Sequence, residues 1–222
     1  MKLIRRQKYL QIAFNRTLPD VRRMISLLPA SERIIVEAGT SFIKQYGQAG
    51  IRAITDAWSS RLNKPGYMVA DLKCMDRGST EVEAAAAAGA SAATCLGLAP
   101  VETINEFIKR CNNVGLDAMV DMMNVEFPFE VLQKLQPLPE MVVLHRGADE
   151  GQLNRAKMLP HHLINRIKGT YPTFISMAGG ETIREVRRSY FNNADIVVIW
   201  RMIYEQPEQT AELAQQFLQT VK

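Results

Sequence analysis

Tyr67-Met68-Val69-Ala70-Asp71-Leu72-Lys73-Cys74-Met75-Asp76 is an apolar run that turns charged at its C-terminal end. The run Tyr67–Leu72 has the continuous apolar character of a parallel strand buried on both faces. Working outward, the same motif recurs: Leu10–Phe14, Ile34–Glu37, Ala92–Leu96, Ala118–Asp121, Met141–His145, Thr173–Met177 and Ile196–Ile199. Segments of helical periodicity separate them. Val101–Val114 puts Ile104, Phe107, Ile108 and Cys111 on one face, and Gly115 follows as a natural stop. Thr80–Ala88 is alanine-rich, which favours helix and close packing.

Eight such units in 222 residues leave roughly 28 residues each, near the lower end for a (β/α)₈ barrel. The expectation is therefore one TIM-barrel domain over residues 1–222. An open doubly wound sheet is the alternative, because strand order is not written in one sequence. The least regular stretch is Gly147–Tyr171, where a mobile loop and a short helix are expected and where His161 and His162 read as loop surface.

Composition excludes several classes. Apolar residues make up 47% and charged residues 23%, which is a normal globular balance. Basic residues cluster at Lys2, Arg5, Arg6 and Lys8 and at Arg184, Arg187 and Arg188, but no aromatics stand at stacking spacing, so no nucleic-acid partner is expected. No apolar run is long enough to span a membrane, and no signal-type core follows the N-terminal charges. Three cysteines without a C-x-x-C pair fit a reducing cytoplasm better than a disulfide or zinc framework.

Most strands end in a polar or glycine residue: Asn15, Glu37, Asp71 with Lys73, Gly97, Asp121, His145, Gly179 with Gly180, and Arg201. In a barrel all these ends lie on one rim, where active sites assemble. Asp71 and Lys73 point the same way by strand alternation. With Asp76 just beyond, they form an array that holds an ammonium between carboxylates, although a plain salt-bridge network is the simpler reading. Glu37 and Asp71 are hard oxygen donors that suit a divalent cation. Gly179-Gly180 ahead of a helical pattern reads as a phosphate cradle, and Arg201 as the residue that completes it. A histidine imidazole can both give and take a proton, so His145 is a candidate acid–base group. Met119, Met122 and Met123 read as space-filling.

Several stretches carry a family resemblance: Leu10-Gln11-Ile12-Ala13-Phe14, Glu37-Ala38-Gly39-Thr40, Val69 through Gly78, Glu83 through Ala90, Val120 through Val125, His145-x-Gly147-x-Asp149 and Ala178-Gly179-Gly180. The chain resembles the hexulose-6-phosphate synthases of the orotidine-monophosphate decarboxylase superfamily, which also holds the 3-keto-gulonate-6-phosphate decarboxylases. The resemblance implies Mg²⁺ at Glu37 and Asp71, with an enediolate derived from ribulose 5-phosphate stabilised there and by Lys73. It also implies proton transfer at His145, substrate contacts from Asn15 and Asp121, and phosphate binding by Gly179, Gly180 and Arg201. A homodimer is implied as well, with Asp76 reaching into the partner's site.

The implied reaction joins formaldehyde to the pentose phosphate, or runs backwards. Asn15 stands where the family usually has aspartate, Trp200 where it has glycine, and Arg146 is unusual beside His145. Ala148 stands where the decarboxylase branch has arginine. That decarboxylation, or sugar-phosphate binding without activity, is the alternative expectation.

Overall fold

The computed structural model describes residues 3–154, 158–179, 183–200 and 207–221. Eight parallel strands close on themselves in chain order: β1 (Tyr9–Phe14), β2 (Ile34–Ala38), β3 (Met68–Cys74), β4 (Ala92–Leu96), β5 (Asp117–Asp121), β6 (Met141–His145), β7 (Phe174–Ala178) and β8 (Ile196–Ile199). β1 pairs with β8, with Gln11 opposite Val198, so no edge is left and the open-sheet alternative is excluded. Helices follow the strands: α1 (Leu18–Leu27), α2 (Thr40–Leu62), α3 (Gly78–Ala87), α4 (Val101–Val114), α5 (Pro128–Leu132), α6 (Ala148–Leu153), α7 (His162–Thr170), α8 (Ile183–Phe191) and α9 (Pro207–Thr220).

Strand alternation sorts the core into two layers. Leu10, Ile12 and Phe14 of β1 point outward and pack with Val21, Met24 and Ile25 of α1. Tyr9 and Ala13 point inward and join Val69, Met119, Met141 and Val198 in a cluster built from strand residues. α4 seats Ile104, Phe107, Ile108 and Cys111 in the outer layer, the two isoleucines and the phenylalanine each worth about 1.5–3 kcal/mol. It ends at Gly115, whose φ of 81° is left-handed and whose N–H returns to the last carbonyls.

Three local expectations need correction. β3 runs to Cys74, past Leu72, because it carries an irregularity: the β3–β4 register shifts between Ala70 and Cys74, and Lys73 has φ 47°. The stretch Gly147–Tyr171 holds two helices, α6 and α7, with residues 155–157 outside the described set. His161 is buried, not surface, because the turn into α7 packs against α8, where its Nε2 meets Ser189 Oγ at 3.0 Å. His162 is exposed, as expected.

Candidate active site

At the C-terminal rim the barrel interior opens into a cavity of about 250 Å³. Asn15, Glu37, Asp71, Lys73, Asp121, His145 and Gly179 all line it, from six strands or the turns that follow them. Trp200 lines the β8 side and packs against the interior cluster, beside an open cavity. Gly97 does not line it; its N–H donates to Asp121 O at 2.8 Å, tying β4 to β5. Gly180 and Arg201 lie outside the described residues.

The charged side chains form one continuous chain of contacts. Lys73 Nζ donates to both oxygens of Asp71, at 3.0 and 2.8 Å, and to Asp121 Oδ2 at 3.4 Å. Asp121 Oδ2 also lies 2.7 Å from His145 Nδ1, and its Oδ1 accepts the Met123 N–H at 2.9 Å. Lys73 is thus held between two carboxylates, but the second is Asp121 and not Asp76. Asp76 is exposed on the loop after β3 and does not line this chain's cavity.

Strand alternation alone does not deliver Lys73 to this place. Its left-handed backbone is uncommon for a residue with a Cβ and is kept only where neighbours fix it. Thr94 of β4 does this: its Oγ1 accepts the Lys73 N–H at 3.0 Å and donates to Asp71 Oδ1 at 2.8 Å. From the first turn of α2, Thr40 Oγ1 sits 2.9 Å from Asp71 Oδ2. Gln11 Nε2 donates to Glu37 Oε2 at 2.5 Å.

Charge states follow from these contacts. Burial works against the charged form of Lys73, but Asp71 and Asp121 outweigh it and hold the ammonium well above its ordinary pKa. Burial also works against the Asp121 carboxylate, and His145, Lys73 and the Met123 N–H overcome it, so the acid sits below its ordinary value. Glu37 is different: burial and the neighbouring Asp71 charge push it up to about 8. Two acids facing one cavity, one of them reluctant to ionise, are a pair whose charge a divalent cation would relieve.

Among the described residues no group of three His, Cys, Asp or Glu is gathered to hold a metal. Two hard carboxylates suit Mg²⁺, which keeps several waters and takes one or two protein acids. The donor set fits.

The turn after β7 is built for close approach. Gly179 has φ 94°, and a Cβ there would lie 2.1 Å from Arg146 O. Arg146 does not line the cavity; its guanidinium donates to Gly179 O at 2.7 Å and to Glu185 of α8 at 3.2 Å. Asn15 occupies the space beside Gly39, where any Cβ would meet its amide at 2.2 Å.

Residue reading passed over Gln11, Thr40 and Thr94. Each carried a faint signal: Gln11 and Thr94 are lone polar residues in apolar strands, and Thr40 follows the glycine that caps α2.

Comparison with known proteins places these features in context. Residues 8–216 match the model of the orotidine 5'-phosphate decarboxylase / HUMPS family. The bifunctional enzyme Fae/Hps of Methanothrix thermoacetophila is 36% identical over 96% of this chain and 53% of its own length. That of Methanocella arvoryzae is 35% identical with the same coverage. The chain thus spans about half the length of these curated relatives. The crystal structure of 3-hexulose-6-phosphate synthase from Salmonella typhimurium superposes with a TM-score of 0.82 at 26% identity, covering 95% of this chain and 99% of that one. The fold of KGPDC from Streptococcus mutans is also shared, with a TM-score of 0.78 at 17% identity.

Proposed function

Because the chain belongs to the orotidine 5'-phosphate decarboxylase / HUMPS family, we propose that it is a carbon–carbon lyase of the hexulose-6-phosphate synthase type. It joins formaldehyde to ribulose 5-phosphate, and the same chemistry runs backwards. The observation that carries this reading is the chain Asp71–Lys73–Asp121–His145 beside Glu37 on one rim. The solved structure named 3-hexulose-6-phosphate synthase and the Fae/Hps relatives support it.

The reaction needs a proton removed from the carbon next to the pentose carbonyl, attack of that carbon on formaldehyde, and a proton delivered to the new alkoxide. Asp121 accepts from His145 Nδ1–H, which leaves Nε2 as the atom that exchanges a proton. Lys73, fixed as an ammonium between two acids, faces the oxygen that gains charge without having to reorganise. Glu37 and Asp71 would hold Mg²⁺, which when bound supplies Lewis-acid stabilisation of that oxygen. Asn15 and Asp121 would contact the sugar, and Gly179, Gly180 and Arg201 the phosphate. Ala148 lines the cavity where the decarboxylase branch of the resemblance has an arginine, which favours the synthase reading.

A homodimer with shared sites belongs to the same proposal. Asp76 is exposed on the loop after β3, beside the exposed Met75, so it is accessible to a second chain. The three free, buried thiols suit a cytoplasmic location. No helix among the described residues is long and apolar enough to cross a membrane.

The deciding experiment measures formaldehyde consumption with ribulose 5-phosphate and Mg²⁺. Turnover that is lost in Lys73→Ala is expected. Full activity in excess chelator, or none with this substrate pair, would overturn the proposal.

A further inference from the structure

Gln11 is 2% exposed in the barrel interior, on β1 next to the strand that carries Glu37. Its neighbours in that interior layer are mainly apolar, including Ala13, Ile35 and Val198. An amide among such residues is unfavourable unless its polar atoms are used. One of them is: Nε2 donates to Glu37 Oε2 at 2.5 Å. The other, Oε1, is buried and has no hydrogen-bond partner among the described residues, although Gln11 lines the cavity. With Glu37 ionised, as it would be when holding a cation, turning the amide over would set an acceptor against the carboxylate, so the bond to Glu37 dictates its orientation. A side chain present only to fill space would leave no such asymmetry.

We infer that Gln11 is a positioning residue for Glu37, gripping one carboxylate oxygen so that the other is presented with Asp71 to the divalent cation. The inference rests on the cation-assisted reading above. Besides Gln11, the charged groups near Glu37 are Asp71, Lys73 and Asp121, and its hydrogen bond comes from Gln11. Gln11 therefore fixes a ligand that Asp71, braced by Thr40, Thr94 and Lys73, does not need help to match. Outer contacts of this kind typically change metal affinity by about 10–100-fold.

The test titrates Mn²⁺ into the full chain and follows free Mn²⁺ by electron paramagnetic resonance. It compares wild type, Gln11→Met, Glu37→Gln and the double variant. Gln11→Met should weaken Mn²⁺ binding about tenfold or more with an unchanged circular dichroism spectrum. In the Glu37→Gln background the same change should alter affinity by less than about twofold, because a residue that acts through Glu37 has nothing left to act on. Gln11→Asn keeps the amide but shortens its reach, and should reproduce the loss if the methionine variant folds poorly. Equal losses in both backgrounds, or wild-type affinity in both Gln11 variants, would overturn the inference alone. A wild-type chain that binds no Mn²⁺ would overturn the cation reading together with it.

Discussion

Replacing Thr94 with valine keeps the shape of a buried side chain and removes one hydroxyl. That hydroxyl makes two contacts at once, accepting the Lys73 N–H at 3.0 Å and donating to Asp71 Oδ1 at 2.8 Å. Losing the bond to the carboxylate costs about 1.5–3 kcal/mol, and leaving the amide without its acceptor costs about 1–3. The two are not additive, since the loop can relax, so a total of about 2–4 kcal/mol is expected. For a chain of this size each kcal/mol moves the melting temperature by about 2–4 °C, giving a drop of roughly 5–15 °C.

Activity should fall further than stability suggests. The left-handed backbone at Lys73 loses the brace that aims the ammonium, and small misplacements of such a group cost about 100-fold. Thr94→Ser restores the hydroxyl and should recover most of both. Differential scanning calorimetry and kcat/KM for ribulose 5-phosphate check the two effects. A valine variant indistinguishable from the serine variant in both measurements would refute the bracing argument.

Glu37 is pushed up to about 8 in the folded chain from an ordinary 4.5, so folding retains a proton that the unfolded chain releases. Its contribution to stability is full below about pH 4.5 and is lost as pH rises towards 8. Metal-free wild type should lose melting temperature across that window relative to Glu37→Gln, in which the slope is absent. His161 is shifted the other way, lowered by burial and by Arg188, so stability is full above its ordinary value of 6.5 and falls with decreasing pH. His161→Gln should flatten the loss between pH 7 and 5, read from melts in matched buffers. Gly179→Ala meets both a φ of 94° and the Arg146 carbonyl. It should cost about 1–3 kcal/mol and raise KM for the sugar phosphate, seen in urea unfolding and initial rates.

The barrel was legible because its strands are continuous apolar runs separated by amphipathic helices, a pattern that depends on local periodicity alone. The acids and bases of the rim were legible because they interrupt those runs at one end. What escaped was whatever depends on contact between strands. Thr94 looks like any strand residue until the β3–β4 register puts it under Lys73. Asp76 looked like the second carboxylate for Lys73 because it is close in sequence, whereas Asp121 arrives from 48 positions away. His161 read as surface because its neighbours in sequence are polar or proline, although α8 covers it in space.

The left-handed residue at 73 sets two selections against each other. Glycine takes that backbone shape freely, but it would leave Asp71 and Asp121 buried without the ammonium that both contact. A library sorted only for survival of heating should therefore accept glycine there only together with a neutral residue at 71 or 121, whereas one sorted only for product formation should keep all three. The identities of those positions, read together, would then report which pressure a laboratory population had last been under.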